Sequence, residues 1–468
     1  MQHDGLWWDP SEPSQKWVGT LRFDQRDGVS LTITVPTEKP TLFPSLRTYD
    51  LILGVASSGK LFTLIDCFDR STRGSLFGVP RTVRIHANAL IVGFHCDTTD
   101  PLLSTVSVSF LHANEWWARS GVESDPAVKH PDFAARYRSS EPVLLYEEET
   151  FRVMIRSSVA GSIGNYQASM RERISFEVHA STPRPLSGFQ RLTRACSDFL
   201  SIACLTYCDT EDFSLVHGAD EGASRRIGTF HAVPFYKNRK GRSSAVVHML
   251  FRFTDIEARA ATIFREWLSK LDQLEDARAL YFSGIYGRGF IEHRLLALTQ
   301  AAEALHRRFF PDRYMDDADF ETQVFQPLKA AIPASADASL RAAITACLKY
   351  ANEHSLRRRL QALFEAHGDV LRLLVPEPDE YISPIIETRN EFTHFPVPAS
   401  EAPQPATRPD PERVLLHNWI LRLLLETCFL RAMGFSTDEI ASFVRRSETS
   451  RQMSVRFRNR EAASGDQP

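Results

Sequence analysis

Cysteine is sparse and unpatterned. The seven thiols stand at positions 67, 96, 196, 204, 208, 347 and 428, an odd number with no CxxC among them. A disulfide framework and a zinc site are both disfavoured, and reduced thiols are the simple expectation. Cys204 and Cys208 lie four apart near the end of an apolar helical stretch with no second pair, and read as buried apolar residues. A large excess of one charge is also missing: 55 Lys and Arg face 58 Asp and Glu, for a net charge of −3. That excludes the global basic surface of a protein that coats duplex nucleic acid, so any RNA contact must be a local patch. Long hydrophobic runs are absent too, and without about 18 consecutive apolar residues no segment is expected to span a membrane. The opening MQHDGLWWDP has neither the basic nor the apolar region of a signal peptide. A soluble cytoplasmic protein with no membrane partner, no metal and no cofactor is expected.

What is present is ordinary globular composition, 43% apolar and 24% charged, in a chain of 468 residues. That length suggests about two to four domains, large enough to bury a core without covalent staples. The first ~180 residues read as β. Val29, Leu31, Ile33 and Val35 alternate with Ser30, Thr32 and Thr34, the period of a half-buried strand. Asp27-Gly28 marks a turn after the run around Leu21 and Phe23, and Ser57-Ser58-Gly59 joins the apolar runs 50–56 and 61–68. Alternation returns at Val106, Val108 and Phe110 and at Ile174, Phe176 and Val178. Residues 186–206 change to helical spacing through Phe189, Leu192, Cys196, Leu200 and Ala203, and strand-like runs follow near 227–236 and 244–253. Between these two lies the basic loop Lys237, Arg239, Lys240 and Arg242, either a solvated hairpin tip or an RNA contact.

From about Asp255 the pattern is helical. A charged helix over 255–280 reads as a connector. Ile291, Leu295, Leu298, Ala302, Leu305 and Phe309 form an unbroken seam; Leu340, Ile344, Leu348 and Ala351 give a second, and Leu356, Leu360, Leu363 and Phe364 a third. Ser383-Pro384 reads as a helix start, and that helix must stop near Phe395 because Pro396 follows. The stretch PVPASEAPQPATRPDP is an extended linker. A last helix through Val414, Leu421, Leu424 and Met433 is ended by Gly434, and a polar, partly basic tail with a disordered end occupies 436–468. The expected organisation is α+β and multidomain. A β-rich sandwich or barrel-like domain (1–254, with its helix at 186–206) precedes the connector, and an all-α bundle follows over 281–435.

The residues that can carry chemistry are Arg389-Asn390-Glu391-Phe392-Thr393-His394. Ile385, Arg389 and Phe392 share a helix face, and a guanidinium within an apolar stripe calls for an anion, phosphate or carboxylate. The planar fork of arginine suits phosphate. His394 lies in the last turn, where the negative end of the helix favours the imidazolium. RNA self-cleavage needs a group that takes a proton from the ribose 2′-hydroxyl and another that gives one to the departing 5′-oxygen. Arg389 can stabilise the charge on the phosphorane. The pattern RxxxxH by itself selects little, because it occurs four times: Arg81–His86, Arg226–His231, Arg288–His293 and Arg389–His394. Only the last combines a polar residue after the arginine, a helix end and a place among helices.

Each of these residues also has a plainer role open to it. Arg389 can pair with a buried carboxylate such as Glu303, and His394 can be an ordinary last-turn residue. Glu303, with Thr299 and His306, flanks the first helical seam, either solvated or accessory to the site. Arg357-Arg358-Arg359 is a solvated face or an RNA contact, and Trp7-Trp8 and Trp116-Trp117 are core aromatics or a ligand platform.

The segments GLWWDP, WVGTLRF and DLILGVASSGKLFTLIDCF, then RLLALTQAAEALHRRFF and RNEFTHF, stand in an order that resembles the ApeA-type anti-phage defence proteins over nearly the whole chain. That family joins an N-terminal β-rich domain to a C-terminal HEPN domain. The resemblance implies a metal-independent RNA endonuclease that leaves a 2′,3′-cyclic phosphate, with Arg389 and His394 catalytic, Asn390 assisting, and two copies of the motif meeting across a homodimer. It also implies that the β domain senses a phage protein or signal, with growth arrest as the outcome; transfer RNA is a reasonable target for a growth-arresting nuclease, though no residue of the sequence specifies it. A non-catalytic HEPN scaffold and the toxin of a toxin–antitoxin pair are the alternatives.

Overall fold

The computed structural model describes residues 1–24, 27–35, 46–73, 81–124, 135–163, 168–218, 226–232, 246–394 and 410–465. The chain divides into two compact units, Met1–Arg265 and Glu266–Pro468. The basic loop Lys237–Arg242 and most of the proline-rich linker lie outside the described residues.

The first unit is built on antiparallel strands: β1 Gln2–Trp8, β2 Trp17–Asp24, β3 Gly28–Val35, β4 Thr48–Ala56, β5 Leu61–Arg73 and β6 Arg81–Val92. Their order is β6-β3-β2-β1-β4-β5, and β5 pairs back onto β6, so the six close into a barrel. Closure leaves this set no free edge. Alternate residues point inward, and Leu21, Leu31, Ile33, Ile52, Phe62, Leu64, Val83 and Ile85 fill the interior. Trp7 explains much of the local sequence. Its indole N–H donates to the Gly19 carbonyl at 3.0 Å. A Cβ at position 54 would come within 2.1 Å of its ring, so Gly54 is the space the indole occupies. Gly59, with φ of 80°, supplies the left-handed residue of the β4–β5 hairpin.

β6 pairs with β3 over residues 81–87 and then changes partner to β14 over 89–92. From that point a second set continues the sheet: β14 Arg226–Ala232, β13 Thr210–His217, β7 Leu102–Phe110, β12 Ala168–Pro185, β11 Phe151–Ile163 and β10 Val143–Glu147. A small hairpin of β8 Val122–Ser124 and β9 Ala135–Tyr137 stands apart. Helices α1 Ala113–Trp117 and α2 Leu186–Cys204 pack on β7 and β12. Trp116 and Trp117 are both buried, Trp117 stacking on Phe253 at 4.2 Å, so this pair is core and no ligand platform. Trp7 is core likewise, while Trp8 is half-buried under the Lys16 ammonium. Cys204 and Cys208 are buried.

The run 244–253 is expected as a strand, and its described residues, 246–253, do not form one. Val246–His248 is a 3-10 turn, Met249, Leu250 and Phe251 are buried in a loop, and the short helix α3, Phe253–Ile256, follows. Met249, Leu250 and Phe251 are buried in succession, as a loop allows and a strand with one solvent face does not. The expected connector is also two helices, α4 Ala260–Ser269 and α5 Leu271–Tyr286, divided at Lys270.

In the second unit, α5 and α6 Ile291–Phe309 form a hairpin against α12 Pro411–Ala432 and α10 Leu356–Leu371. The α6 seam buries Leu295, Leu298, Ala302 and Leu305. Lys270 donates to the Ala432 carbonyl at 2.8 Å, satisfying one end of α12, and Gly434, with φ of 85°, terminates that helix. Helices α7 Asp317–Phe320, α8 Gln326–Ala330 and α9 Ala338–Lys349 make an exposed excursion. The seam read through Leu340, Ile344 and Leu348 is helical, yet α9 buries no residue within the chain. Helix α11 Ile382–His394 is followed beyond the linker by α12, α13 Thr437–Arg446 and α14 Glu448–Gly465, whose Met453 and Phe457 are buried. The described part of the tail is therefore helical.

Candidate active site at the end of α11

A 3-10 turn at Pro378–Tyr381 runs directly into α11, so the helix starts at Ile382 and Ser383 is not its cap. Ser383 instead accepts a hydrogen bond from Arg357 Nη1 at 2.6 Å. Ile382, Ile385 and Thr388 form the buried stripe, and Thr388 turns its hydroxyl back to the Pro384 carbonyl at 2.8 Å, which spends its polarity within the helix.

Arg389 stands half-buried at the edge of this stripe. Its Nη1 donates to Asn390 Oδ1 at 3.1 Å and to Thr393 Oγ1 at 3.5 Å. Both acceptors are neutral. Among the described residues, the guanidinium makes no ion pair, so its charge is steered but not cancelled. Thr393 in turn donates to the Arg389 carbonyl at 3.2 Å, which fixes the last turn. His394 closes the helix, and its side chain lies outside the described set. Next to this end, Glu391 is taken by Arg413 of α12 at 2.8 Å. That pair anchors the first turn of α12 to α11, and among the described residues it leaves Arg389 without an acid.

The suggested pairing of Arg389 with Glu303 does not occur. Glu303 accepts from Arg359 Nη1 at 3.0 Å. Arg359 is buried, with a side chain 4% exposed, and also donates to Asp312 Oδ1 at 2.8 Å and Glu353 at 3.3 Å. Three carboxylates thus enclose one guanidinium, and the cluster joins α6, the loop after it and the start of α10. The solvated-face reading of the arginine triplet fails at this residue, because Arg359 turns inward while Arg357 and Arg358 are exposed. His306 borders the cluster, buried; burial and the Arg359 charge hold its pKa below the usual value against the pull of Asp312. Thr299 is also buried, donating to the Leu295 carbonyl at 2.8 Å, so neither residue is the solvated flank expected of it. Sequence reasoning missed this cluster and Arg413 because most of the partners lie far away in the chain, Glu303 and Asp312 standing 56 and 47 residues from Arg359 and Glu391 22 from Arg413.

A second buried network spans α5 and α12. Tyr281 donates to Glu426 Oε1 at 2.7 Å and Arg422 Nε to the same oxygen at 2.6 Å. Burial pushes the Tyr281 phenol up, and Glu426 pushes it further. His367, on α10, is held down to about 4 by burial and by the Arg431 charge.

The other three RxxxxH pairs are set aside by their backbone. Arg81–His86 lies on β6 and Arg226–His231 on β14, where residues five apart face opposite sides of a sheet. Arg288 precedes α6, and His293 lies in its first turn. Only Arg389 and His394 share one helix. Among the described residues, no helix is long and apolar enough to cross a membrane.

Comparison with known proteins gives two family matches. Residues 2–267 match the model described as ApeA N-terminal domain 1, and residues 296–439 match Apea-like HEPN. No curated protein and no solved structure matches. HEPN domains generally act as ribonucleases and commonly dimerise, and this pair of domains fits an anti-phage defence protein with a HEPN domain. The first match alone spans more than half of the chain, which therefore belongs to the ApeA-type family, an ApeA N-terminal domain 1 followed by an Apea-like HEPN domain.

Proposed function

We propose that the helical unit is a metal-independent RNA endonuclease, with Arg389 and His394 as its catalytic groups and Asn390 orienting the arginine. The observation that carries this is the Arg389 guanidinium, half-buried at a helix end and held only by neutral oxygens among the described residues. Such a cation is poised for an anion that the described residues do not supply. The phosphorane formed when a ribose 2′-oxygen attacks the neighbouring phosphorus is such an anion. His394 takes the 2′-hydroxyl proton or delivers one to the leaving 5′-oxygen. One imidazole cannot do both in one step, so a second copy across a homodimer supplies the partner group. The products are a 2′,3′-cyclic phosphate and a free 5′-hydroxyl. Infection sensed by the β-barrel unit releases this activity inside the cell, with transfer RNA among the targets that would arrest growth.

The test is end-mapping of cellular RNA after induced expression of wild type, Arg389→Ala and His394→Ala. New ends with cyclic phosphates are expected with wild type alone. Equal cleavage by His394→Ala would remove the assignment. Sedimentation is expected to show a dimer at micromolar concentration.

A further inference from the structure

We propose that Arg357 and Arg358, on the first turn of α10, form a strand-binding arm that grips the phosphates of single-stranded RNA a few nucleotides from the bond cleaved at α11. This rests on the nuclease reading above.

The triplet 357–359 divides its labour by geometry. Successive helical residues differ by about 100°, so with Arg359 turned into its carboxylate cluster the two before it point away. Both are exposed, and among the described residues neither meets a carboxylate at ion-pair distance. Arg357 is nonetheless placed: its Nη1 donates to Ser383 Oγ at 2.6 Å, a neutral partner that orients the fork and leaves its charge. Arg389 is held in the same manner at the other end of α11.

Ser383 also begins a row. Positions 383, 387, 390 and 394 recur at spacings of four, three and four, so they lie along one line of α11. Along that line Glu387 and Asn390 are exposed. The row is about 16 Å long, at 1.5 Å per residue, so one strand laid along it touches the arm at one end and Asn390 and His394 of the motif at the other. Opposing charge is present in Glu387 and in Glu380 of the preceding turn, while Asp379 is engaged by Arg372 at 3.3 Å. The strand must be single, because attack by the 2′-oxygen needs in-line placement that A-form stacking denies and a flexible strand allows.

The probe is a fluorescein-labelled single-stranded RNA 20-mer, read by anisotropy against full-length His394→Ala protein over a salt series. Adding Arg357→Ala and Arg358→Ala is expected to weaken binding about tenfold near 0.15 M salt. The slope of log affinity against log salt should fall by about 1.4, about 0.7 for each phosphate no longer neutralised. Arg445→Ala with Arg446→Ala, an exposed pair on α13, removes equal charge elsewhere and is expected to change affinity less than twofold. In the wild-type background, the 357/358 pair should raise KM about tenfold with kcat nearly unchanged. Equal effects of the two arginine pairs, or no RNA binding by the parent, would overturn the arm. Cleavage that depends on His394 but not on the arm would overturn the arm and leave the nuclease standing. An arm-dependent anisotropy signal with no His394-dependent cleavage would support the arm while the nuclease reading falls.

Discussion

The Arg359 cluster and the end of α11 belong to the same helical unit and treat an arginine in opposite ways. Arg359 is buried, and the carboxylates of Glu303, Asp312 and Glu353 consume its charge. Arg389 is half-buried and, among the described residues, donates to the amide of Asn390 and the hydroxyl of Thr393. A buried charge is tolerable only when paired, and once paired it does structural work by tying together the segments that bring its partners. A cation oriented by neutral groups does the reverse: it adds little to folding and keeps its field for a ligand. The first arrangement clamps α6 to α10, and the second is what a phosphate site requires.

The largest effect that would sharpen this contrast is on stability. Arg359→Ala leaves Glu303 without its cation and leaves Asp312 and Glu353 to the half-exposed Arg307 and Arg313, and it should destabilise the helical unit by about 3 kcal/mol. Urea denaturation followed by hydrogen exchange over α10 would measure it. A loss below 1 kcal/mol, on the order of an exposed ion pair, would show the cluster to be ornamental and break the comparison.

Arg389→Ala should do the complementary thing. RNA cleavage should fall about 100- to 1000-fold, the usual loss of a group that meets developing charge. The unfolding free energy should move by less than about 0.5 kcal/mol. A melt and a cleavage assay on the same sample decide it. If this variant unfolds as Arg359→Ala does, Arg389 is a structural residue and the two arginines do not differ.

Only one side of this contrast is legible in the sequence. The local pattern marks α11, its final histidine and the lone arginine, because helical period, proline and residue type are all nearby in the chain. The α6 seam is legible for the same reason, as are the alternating strands and the Ser57-Ser58-Gly59 turn. Arg359 is not. Its partners stand 56, 47 and 6 residues away and converge only in the folded chain. Barrel closure is equally non-local: nothing in β6 announces that it pairs with β3, β5 and β14. The run 244–253 misleads because a dense set of apolar residues, buried in succession at Met249, Leu250 and Phe251, imitates a strand, and the break at Lys270 is hidden because its ammonium finds the end of α12, 162 residues on.

A third effect separates folding from chemistry by pH. His367 lies on α10 with Arg359, and burial beside Arg431 holds it near 4. Its neutral form is the one the fold accepts, so the unfolded chain binds the extra proton first. The stabilisation is complete above about 6.5, the ordinary histidine value, and is lost as pH falls from there toward 4. At most about 3 kcal/mol is involved. Denaturation at pH 7 and pH 4.5 should show the loss, and His367→Gln should flatten it. A slope that survives in His367→Gln would assign it to other groups.

The smallest effect asks whether one carboxylate can turn the second arginine into the first. Asn390→Asp is nearly isosteric and replaces the amide oxygen at 3.1 Å from Arg389 Nη1 with a charged one. At this half-exposed position the new pair is worth about 0.5–1 kcal/mol, and any phosphate must then displace it. Cleavage should drop about three- to fivefold through KM, with stability equal to or slightly above wild type, while Asn390→Ala frees the guanidinium and lowers kcat instead. The two substitutions therefore separate orientation from neutralisation at one atom. If Asp and Ala behave alike, the charge of Arg389 is not what the site uses, and its resemblance to a phosphate clamp is one of shape alone.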